Sequence, residues 1–317
     1  MRIVVSGATG FLGGHLVARL RTDGHVVTGL GRNREAGMRL VESGAKFAPI
    51  DLALTSNTLA GERADAFVHG AALSSNWGTR AAFQAANVTG TANAIDLARR
   101  LGVGRFVHIS SPSVYFRFAD QLAVAEDMQL PPPINAYAAS KAAAERLVLD
   151  ATDLNPIILR PRGLFGPGDT ALLPRLVRAA RRGPLPLLRG GEAVTDLTFV
   201  DDVVAAIVAA LNAGPEVTGM TINISGGEPQ TIRHIAELAA HHAGVAVRWR
   251  AMPLGPTLFG VRAIKPIAAN LPSRPEPVVT AYSLGVLAFS QTLDISRAKA
   301  LLGWQPRIGF AEGLSRL

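Results

Sequence analysis

A tyrosine, a lysine and a cluster of serines in the first half of the chain have the types and spacing that carbonyl reduction needs. Tyr137 and Lys141 are four residues apart, which places them on one face of a helix. The serine-rich segment Ser110–Tyr115 (SSPSVY) directly follows a predicted buried strand. In such a reaction a hydroxyl polarises the carbonyl, a phenol transfers the proton, and a nearby ammonium stabilises the phenolate. The lysine would also hold the ribose of a nicotinamide cofactor.

A glycine-rich turn near the N-terminus supplies the matching cofactor signal. Gly7, Gly10 and Gly13 form a GxxGxxG turn between the strand predicted at Arg2–Val5 and a helix predicted to begin at Leu12. Small residues let the backbone approach a pyrophosphate, whose charge then lies at the helix N-terminus. The turn therefore predicts a dinucleotide site.

The end of the second predicted strand indicates which dinucleotide is bound. An acidic residue usually binds the ribose 2′-hydroxyl of NAD about 20 positions after the glycine turn. Here residues 29–34 (GLGRNR) contain no carboxylate, and Arg32 suits the 2′-phosphate of NADP instead. We predict NADP(H) as the preferred cofactor, with NAD(H) as the alternative.

Alternating strand and helix signals must position these residues. This alternation predicts an α/β fold, a Rossmann doubly wound parallel sheet, followed by a smaller and mixed C-terminal domain. Residues 1–165, with returning elements near 196–226, form the predicted cofactor domain, and residues 166–195 and 227–317 the predicted substrate domain. The main predicted elements are strands at Arg2–Val5, Val26–Thr28, Ala45–Asp51, Ala66–His69, Arg105–Ser110, Ile157–Arg160 and Thr221–Ile224, and helices at Phe83–Leu101, Ala138–Asp150 and Asp201–Leu211.

The order of these motifs resembles the extended short-chain dehydrogenase/reductase family over nearly the whole chain. SGATGFLG, HGAA, NVTGT, SSPSVY, YAASK, LRPRGLFGPGD, FVDDVV and LGWQPRIGFAEGL follow one another in the family's order. By position, the resemblance implies that Ser111 is the catalytic serine, Tyr137 the acid/base and Lys141 its partner, with Asn87 in a proton relay. The implied cofactor contacts are Gly7, Thr9, Gly10, Phe11, Leu12, Gly13, Arg32, Asp51, Leu52, Ala71, Ala72 and Lys141.

Two branches of that family compete. Sugar-nucleotide epimerases and dehydratases commonly carry an Asn after the arginine that corresponds to Arg160, where this chain has Pro161, Arg162 and Gly163. Their C-terminal phosphate-binding arginine also has no clear match, because Arg274 lacks the Arg-x-Gly-Asp context. The chain is more similar to 3β-hydroxysteroid dehydrogenases and long-chain 3-ketoacid reductases.

This similarity implies an oxidoreductase that interconverts a secondary alcohol and a ketone on a hydrophobic substrate of the steroid, sterol or 3-keto acid type. Arg162 and Arg189 are candidates to pair with a substrate carboxylate or to form ordinary surface ion pairs. A sugar-nucleotide epimerase or dehydratase is the alternative, and a non-catalytic NADP-binding regulator is a second one. The predicted substrate residues are Trp77, Ser113, Arg162 and Phe165, in a pocket that also includes Leu164, Leu173 and residues 252–289.

The composition of the chain argues against several other classes of function. The 317 residues include no cysteine, which excludes disulfides, iron–sulfur clusters and thiol nucleophiles. The net charge of +8 comes mostly from dispersed arginines without interleaved aromatics, so we do not predict nucleic-acid binding. The histidines, among them His234, His241 and His242, lack acidic neighbours at ligand spacing, and we predict no metal.

The apolar runs are too short for a membrane-spanning helix and no signal peptide is evident, so we expect a cytoplasmic protein. The family resemblance implies a homodimer formed through the two long helices near Phe83–Leu101 and Ala138–Asp150. Residues 252–279 are apolar and rich in proline, with no steady period. The sequence leaves open whether they form a lid over the substrate or contact a membrane surface.

Overall fold

The computed structural model describes residues 1–75, 77–270 and 280–317. Its strands, in chain order, are β1 (Arg2–Ser6), β2 (Val26–Gly31), β3 (Lys46–Pro49), β4 (Ala66–His69), β5 (Arg105–Ile109), β6 (Gln121–Val124), β7 (Pro156–Pro161), β8 (Leu164–Phe165), β9 (Leu185–Leu187), β10 (Val194–Thr195), β11 (Thr198–Phe199), β12 (Thr221–Ile224), β13 (Gln230–Thr231), β14 (Trp249–Ala251) and β15 (Gln291–Leu293).

The α-helices are α1 (Phe11–Thr22), α2 (Arg34–Glu42), α3 (Arg80–Phe83), α4 (Gly90–Leu101), α5 (Ala136–Asp150), α6 (Leu173–Arg182), α7 (Val200–Asn212), α8 (Ile232–His242), α9 (Leu254–Asn270), α10 (Ala281–Ala288), α11 (Ser296–Leu302) and α12 (Phe310–Ser315). Shorter helical segments are a π-helix at Gln84–Thr89 and 3₁₀ turns at Pro112–Tyr115, Thr152–Leu154, Arg189–Gly191 and Pro215–Val217.

A seven-stranded sheet organises the molecule, with the strand order β12-β7-β5-β4-β1-β2-β3. Every neighbouring pair in it is parallel. Apolar side chains from its strands pack into two cores, one with α1 and α7 and the other with α4 and α5. Because helices cover both faces of a parallel sheet, the predicted doubly wound Rossmann fold is confirmed.

The second half of the chain builds smaller sheets. A four-stranded mixed sheet has the order β13-β10-β15-β6, in which β10 and β13 are antiparallel and the other two pairs parallel. Its strand β6 belongs to the first half of the sequence, because the chain leaves the parallel sheet after Ser111 before it returns in α5. The predicted division into 1–165 with 196–226, and 166–195 with 227–317, stays a prediction.

Two segments differ from the sequence-based expectations. The predicted helix Phe83–Leu101 begins earlier, at α3, and passes through the π-helical turns of Gln84–Thr89 before α4. Residues 252–279 showed no helical period, yet Leu254–Asn270 form a helix. Its glycines and prolines interrupt the apolar pattern, although a proline such as Pro256 is tolerated in a first helical turn. Residues 271–279, with Arg274, lie outside the described residues.

No helix in the described part of the chain is both long enough and apolar enough to cross a membrane.

Candidate active site

Close backbone packing explains two glycines of the phosphate turn. Gly7 has a positive φ of 73°, and a Cβ atom there would lie 2.8 Å from the backbone nitrogen of Ala71. A Cβ atom at Gly13 would lie 2.1 Å from the carbonyl oxygen of Gly7. A side chain at either position would push the turn away from the start of α1 or from β4. The turn therefore needs glycine to hold its shape.

The turn opens onto a cleft of about 240 Å³ beyond the carboxyl ends of β1, β2 and β4. α1 begins beside it, with its first backbone N–H groups free to meet an anion. Phe11 packs its ring against His15 at a centroid distance of 5.5 Å, and Leu12 packs against the core. A dinucleotide fits this arrangement. Eight of the predicted cofactor residues line the cleft: Gly7, Thr9, Gly10, Arg32, Asp51, Leu52, Ala71 and Ala72.

Arg32 lies at the rim of this cleft, directly after β2 ends at Gly31. Its guanidinium is 3.7 Å from the carboxylate of Asp51, and its side chain is 72% exposed. A Cβ atom at Gly31 would come within 2.7 Å of the Thr9 hydroxyl, so this strand end has no room for a carboxylate side chain. The rim thus presents an exposed cation where NAD-binding proteins usually carry an acid.

Ser111 follows the neighbouring part of the same sheet edge. β5 ends at Ile109, and the Ser111 hydroxyl caps the 3₁₀ turn Pro112–Tyr115 by accepting a hydrogen bond from the Ser113 backbone at 3.2 Å. Ser111 is partly exposed, whereas Ser110 and Ser113 are buried. Of the three serines in the segment, Ser111 is therefore the one whose hydroxyl reaches open space.

α5 brings Tyr137 and Lys141 to the same place. The helix begins at Ala136, and the side chain of Asn135 caps it by accepting from the Ala138 backbone at 2.7 Å. One turn later, the Lys141 ammonium donates to the carbonyl oxygen of Ile109 at 2.7 Å. This bond ties the helix to the end of β5, two residues before Ser111.

The surroundings of Lys141 affect its charge. The side chain is buried, which lowers the pKa of its ammonium to about 8, while Glu145 one turn further on acts in the opposite direction. His69 and His108, stacked at 5.3 Å, lie on the neighbouring strands. Burial and the charge of Lys141 lower the pKa of His69 to about 3 and that of His108 well below its usual value. Both rings are thus neutral near pH 7, whereas Lys141 carries a positive charge below its pKa.

Asn87 lies within the π-helical segment, a feature often found at functional sites. Its side chain accepts from the Leu73 backbone at 2.6 Å and donates to the Ser140 hydroxyl at 2.9 Å. Ser140 in turn donates to the carbonyl oxygen of Tyr137 at 2.8 Å. Asn87 thus connects the loop after β4 to the first turn of α5, and it reaches Tyr137 through Ser140. Its predicted role in a proton relay stays a prediction.

Two of the predicted substrate residues are buried. Phe165 is fully buried and packs edge-on against Phe199 and Phe310, in a core cluster that also includes Leu173. Ser113 is 2% exposed inside the turn after Ser111. Phe165 therefore packs in the core, whereas the buried hydroxyl of Ser113 has no hydrogen-bond partner among the described residues. Their predicted contact with substrate stays a prediction.

The other two predicted substrate residues differ from each other. Trp77 is partly buried in the loop that follows β4, where its backbone nitrogen bonds the Ser75 hydroxyl. Arg162 lies just after β7 and is 8% exposed. Arg189, the other arginine considered for a carboxylate, forms a two-pronged ion pair with Asp120 at 2.9 and 2.8 Å. It is therefore already paired.

Tyr282 of α10 falls within residues 252–289, which the sequence analysis assigned to the substrate pocket only as a range. Its ring packs edge-on against Phe116 at 5.2 Å, directly after the turn that follows Ser111. Burial raises the pKa of its phenol to about 12, Arg162 acts to lower it, and Tyr137 acts to raise it. Tyr282 therefore lies close enough to both to share their electrostatic environment. The only available signal was an aromatic residue in an otherwise apolar segment.

A larger cavity of about 540 Å³ lies between α6, α8 and the C-terminus, and Leu173 is the one residue of the predicted substrate pocket that lines it. Within the described ranges, no group of three or more His, Asp or Glu residues is placed to hold a metal ion. The cofactor cleft and the Ser111–Tyr137–Lys141 edge are therefore the candidate active site.

Fold and site together define an enzyme of the short-chain dehydrogenase/reductase class that acts on CH–OH groups. The family model for the NAD dependent epimerase/dehydratase family matches residues 3–225. The chain belongs to this family, and its predicted resemblance to extended short-chain dehydrogenases is confirmed.

Named relatives fall in both branches. A 2-alkyl-3-oxoalkanoate reductase of Stenotrophomonas maltophilia is 33% identical, over all of this chain and 98% of its own. A 3beta-hydroxysteroid-dehydrogenase/decarboxylase of Arabidopsis thaliana is 30% identical, over 99% and 78%. A UDP-glucose 4-epimerase of Mycolicibacterium smegmatis is 31% identical, over 100% and 97%. Among solved structures, the UDP-glucuronic acid 4-epimerase of Bacillus cereus, in complex with NAD, has a TM-score of 0.77 at 24% identity, over 100% and 97%. That likeness shows the shared fold.

Proposed function

We propose that the protein is an NADP(H)-dependent oxidoreductase that interconverts a secondary alcohol and a ketone on a hydrophobic substrate, with 3-oxo acids as the favoured class and steroids or sterols as the other. The observation that carries this proposal is the hydrogen bond from Lys141 to Ile109, which holds α5 against the strand end that leads to Ser111. It brings the ammonium to the strand end two residues before Ser111, and the same helix carries Tyr137 one turn earlier.

Each of the three side chains has a distinct task in this proposal. Ser111 donates a hydrogen bond to the substrate carbonyl oxygen and polarises it. Tyr137 transfers its phenolic proton to that oxygen as the alcohol forms, and takes a proton back in the reverse direction. Lys141 stabilises the resulting phenolate with its ammonium. The bound nicotinamide supplies or accepts the hydride at the carbonyl carbon.

The preference for NADP(H) rests on the rim of the cofactor cleft. Arg32 is exposed, and its one charged contact among the described residues is the long one to Asp51 at 3.7 Å. A flexible cation with one weak partner is suited to a phosphate group. NAD(H) stays the alternative.

The substrate class is supported by two of the named relatives and by the surroundings of the site. Both the 2-alkyl-3-oxoalkanoate reductase and the steroid dehydrogenase act on hydrophobic molecules by name. In this chain, α9 and α10 contribute an apolar cluster beside Leu188, including Leu258, Leu284 and Ala288. The partly exposed members of this cluster, such as Leu258 and Leu287, would offer apolar surface to a substrate with a long hydrocarbon part.

A sugar-nucleotide epimerase is the second candidate, because one full-length relative bears that name. In that reaction the same site would oxidise the sugar transiently, and no net cofactor would be consumed. The positions after Arg160 argue against it, since they are Pro161, Arg162 and Gly163 without an asparagine. A non-catalytic NADP-binding regulator is a third candidate, and it would have no need of the gathered Tyr137 and Lys141.

The deciding experiment follows NADPH absorbance with purified protein and a panel of long-chain 3-oxo acids, steroid ketones and UDP-sugars. We expect net NADPH oxidation with the apolar ketones, fastest with the 3-oxo acids. Conversion of a UDP-sugar to its epimer, with no net change in NADPH and no activity on the ketones, would overturn the proposal. NADPH binding without turnover of any substrate would favour the regulator.

The proposal also covers the oligomeric state of the protein and its location in the cell. We infer a homodimer through the helical segment that ends at Leu101 and through α5, as in the family resemblance, and a cytoplasmic location. Size-exclusion chromatography with light scattering would give the mass directly. A monomer at micromolar concentration would contradict the dimer.

A further inference from the structure

Arg162 lies at the same sheet edge as Ser111. β5 and β7 are parallel neighbours, with Ile109 opposite Leu159. The backbone segments that directly follow the two strands therefore begin side by side. Adjacent strands are about 4.8 Å apart. The Arg162 backbone donates to Ile224 at 2.9 Å, which continues the extended pairing with β12. The backbone of Arg162 therefore lies beside the segment that contains Ser111, and its side chain extends to Thr195 and Gln291.

The guanidinium of Arg162 is buried without a carboxylate partner. It donates from Nε and Nη2 to the Thr195 hydroxyl at 2.9 and 2.6 Å, and from Nη1 to the Gln291 side chain. Those bonds use three of its five N–H groups. Within residues 1–75, 77–270 and 280–317, no carboxylate lies within 4 Å of it. A buried cation of this kind is costly unless something else neutralises it.

The nearest acid does not fill this role. Asp196 contributes to the electrostatic environment of Arg162, but it lies beyond ion-pair distance. One of its carboxylate oxygens, Oδ1, is buried with no hydrogen-bond partner in the described part of the chain. Burial raises the pKa of Asp196. The surroundings of Arg162 thus include a buried polar atom without a hydrogen-bond partner among the described residues.

Arg162 also shares its surroundings with the reacting groups. Tyr282 responds electrostatically to both Arg162 and Tyr137, and its ring packs on Phe116 beside the serine turn. Arg162 and Ser111 follow neighbouring strands of the sheet, and Tyr282 packs on Phe116, directly after the turn that Ser111 begins. A ligand whose carbonyl meets Tyr137 would have its next polar group near Arg162.

We propose that Arg162 binds the carboxylate of the substrate and so selects 3-oxo and 3-hydroxy acids over neutral ketones and alcohols. The inference rests on the proposed oxidoreductase function. In a 3-oxo acid a single carbon atom separates the carboxylate from the carbonyl carbon, which suits two groups that follow neighbouring strands. The guanidinium has N–H groups left for a charge-assisted bond, and the carboxylate would supply the missing negative charge.

The test compares two stable substrates of the same shape. A 2-alkyl-3-hydroxyalkanoate and its primary amide are oxidised with NADP⁺, since hydroxy acids do not lose CO₂ as 3-oxo acids do. The ratio of kcat/KM for acid over amide is measured in the wild type, Arg162→Gln, Arg162→Lys and Arg189→Gln. We expect the wild type to favour the acid, and Arg162→Gln to lower the ratio on the order of 30-fold or more.

The matched variants separate binding from structure. Arg162→Lys keeps the charge but not the planar fork, so we expect an intermediate ratio. Arg189→Gln removes an arginine that is already paired with Asp120, and its ratio should equal that of the wild type. A merely structural role for Arg162 would slow both substrates equally and leave the ratio unchanged, which would overturn the inference. If Arg162→Gln does not fold, the Arg162→Lys ratio decides.

Failure of the proposed function looks different. A wild type that oxidises acid and amide equally well contradicts the carboxylate site and leaves the oxidoreductase standing. A wild type that oxidises neither, but epimerises a UDP-sugar, contradicts both.

Discussion

Arg160 and Arg162 are two buried arginines, two residues apart at the end of β7, with different partners. Arg160 forms a two-pronged ion pair with Glu145 at 2.8 and 2.6 Å, and its guanidinium stacks over the Tyr115 ring at 4.5 Å. In the described part of the chain, Arg162 has only the neutral oxygens of Thr195 and Gln291 as hydrogen-bond partners. There the first cation has a carboxylate partner, and the second has none.

This difference separates an arginine that supports the site from an arginine that can bind a ligand. Glu145 lies one helical turn after Lys141, so the Arg160 pair fixes α5 on the sheet and thereby sets the position of Tyr137. Tyr115 extends this network by donating to Asn223 of β12 at 3.0 Å. The paired arginine belongs to the support, whereas the unpaired one is available to a ligand. Arg32, exposed with one long contact, resembles Arg162 in this respect.

The largest expected effect is on the catalytic rate, through Tyr137. Tyr137→Phe removes the proton donor while it leaves the ring and its neighbour Phe83 in place. We expect kcat to fall by about 10³-fold, as for other general acids, with NADPH affinity nearly unchanged. Single-turnover reduction and a fluorescence titration of NADPH measure the two quantities. A rate within a few-fold of the wild type would remove Tyr137 from the mechanism.

The supporting role of the Arg160–Glu145 pair is tested by measuring the stability of the protein. Glu145→Gln leaves the Arg160 charge buried without a counterion, and we expect a loss of about 3–5 kcal/mol in the free energy of unfolding. The control is Asp153→Asn, which breaks a two-pronged pair with Arg99 at the surface and should cost at most about 1 kcal/mol. Urea denaturation measures both variants. Equal losses would mean that burial does not distinguish the two pairs.

Arg32 extends the comparison to the cofactor. Arg32→Asp places a carboxylate where we expect the 2′-phosphate, so the ratio of NADPH to NADH affinity should fall by about 10-fold or more. Arg34→Asp changes the same charge two residues further along, on an exposed position of α2, and serves as the control. An unchanged ratio in the Arg32 variant would show that this arginine does not discriminate between NADPH and NADH.

The smallest effect is a dependence on pH. Burial lowers the pKa of Lys141 to about 8. The side chain is therefore protonated below that pH, and it loses its positive charge as the pH rises through that value. Ketone reduction should therefore decline above about pH 8, toward a tenfold fall per pH unit. Lys141→Arg keeps its charge throughout and should shift the decline to higher pH at a lower maximum rate. A decline at the same pH in both proteins would assign it to another group.

The same lysine has a linked effect on stability. Since the folded pKa lies below the usual 10.5, the unfolded chain binds more protons between about pH 8 and 10.5. The contribution of Lys141 to the free energy of unfolding therefore rises with pH in that interval.

Local patterns predicted the cofactor side of the molecule well. The strands at Arg2–Ser6 and Ala66–His69 and the turn at Gly7–Gly13 follow from short-range rules of apolar runs and glycine geometry. The spacing of Tyr137 and Lys141 likewise fixes their common helix face. These features depend on residues close in sequence, which is why they could be predicted.

The substrate side depends on contacts that the sequence does not display. Whether Phe165 faces a ligand or the core depends on Phe199 and Phe310, which are distant in the chain. Tyr282 reaches the site only because α10 packs against Phe116. The difference between Arg160 and Arg162 also requires Glu145, Thr195 and Gln291 to be placed in space. No periodicity or motif contains that information.

Transfer of deuterium from NADPH labelled at both nicotinamide C4 hydrogens tests the central claim most directly. With a freshly prepared 2-alkyl-3-oxoalkanoate, we predict a 3-hydroxy acid that carries one deuterium at C3, with one NADPH consumed for each product molecule. Mass spectrometry and NMR of the product give both the amount and the position of the label. A product without deuterium, or turnover only of a UDP-sugar with the cofactor unchanged, would contradict the account.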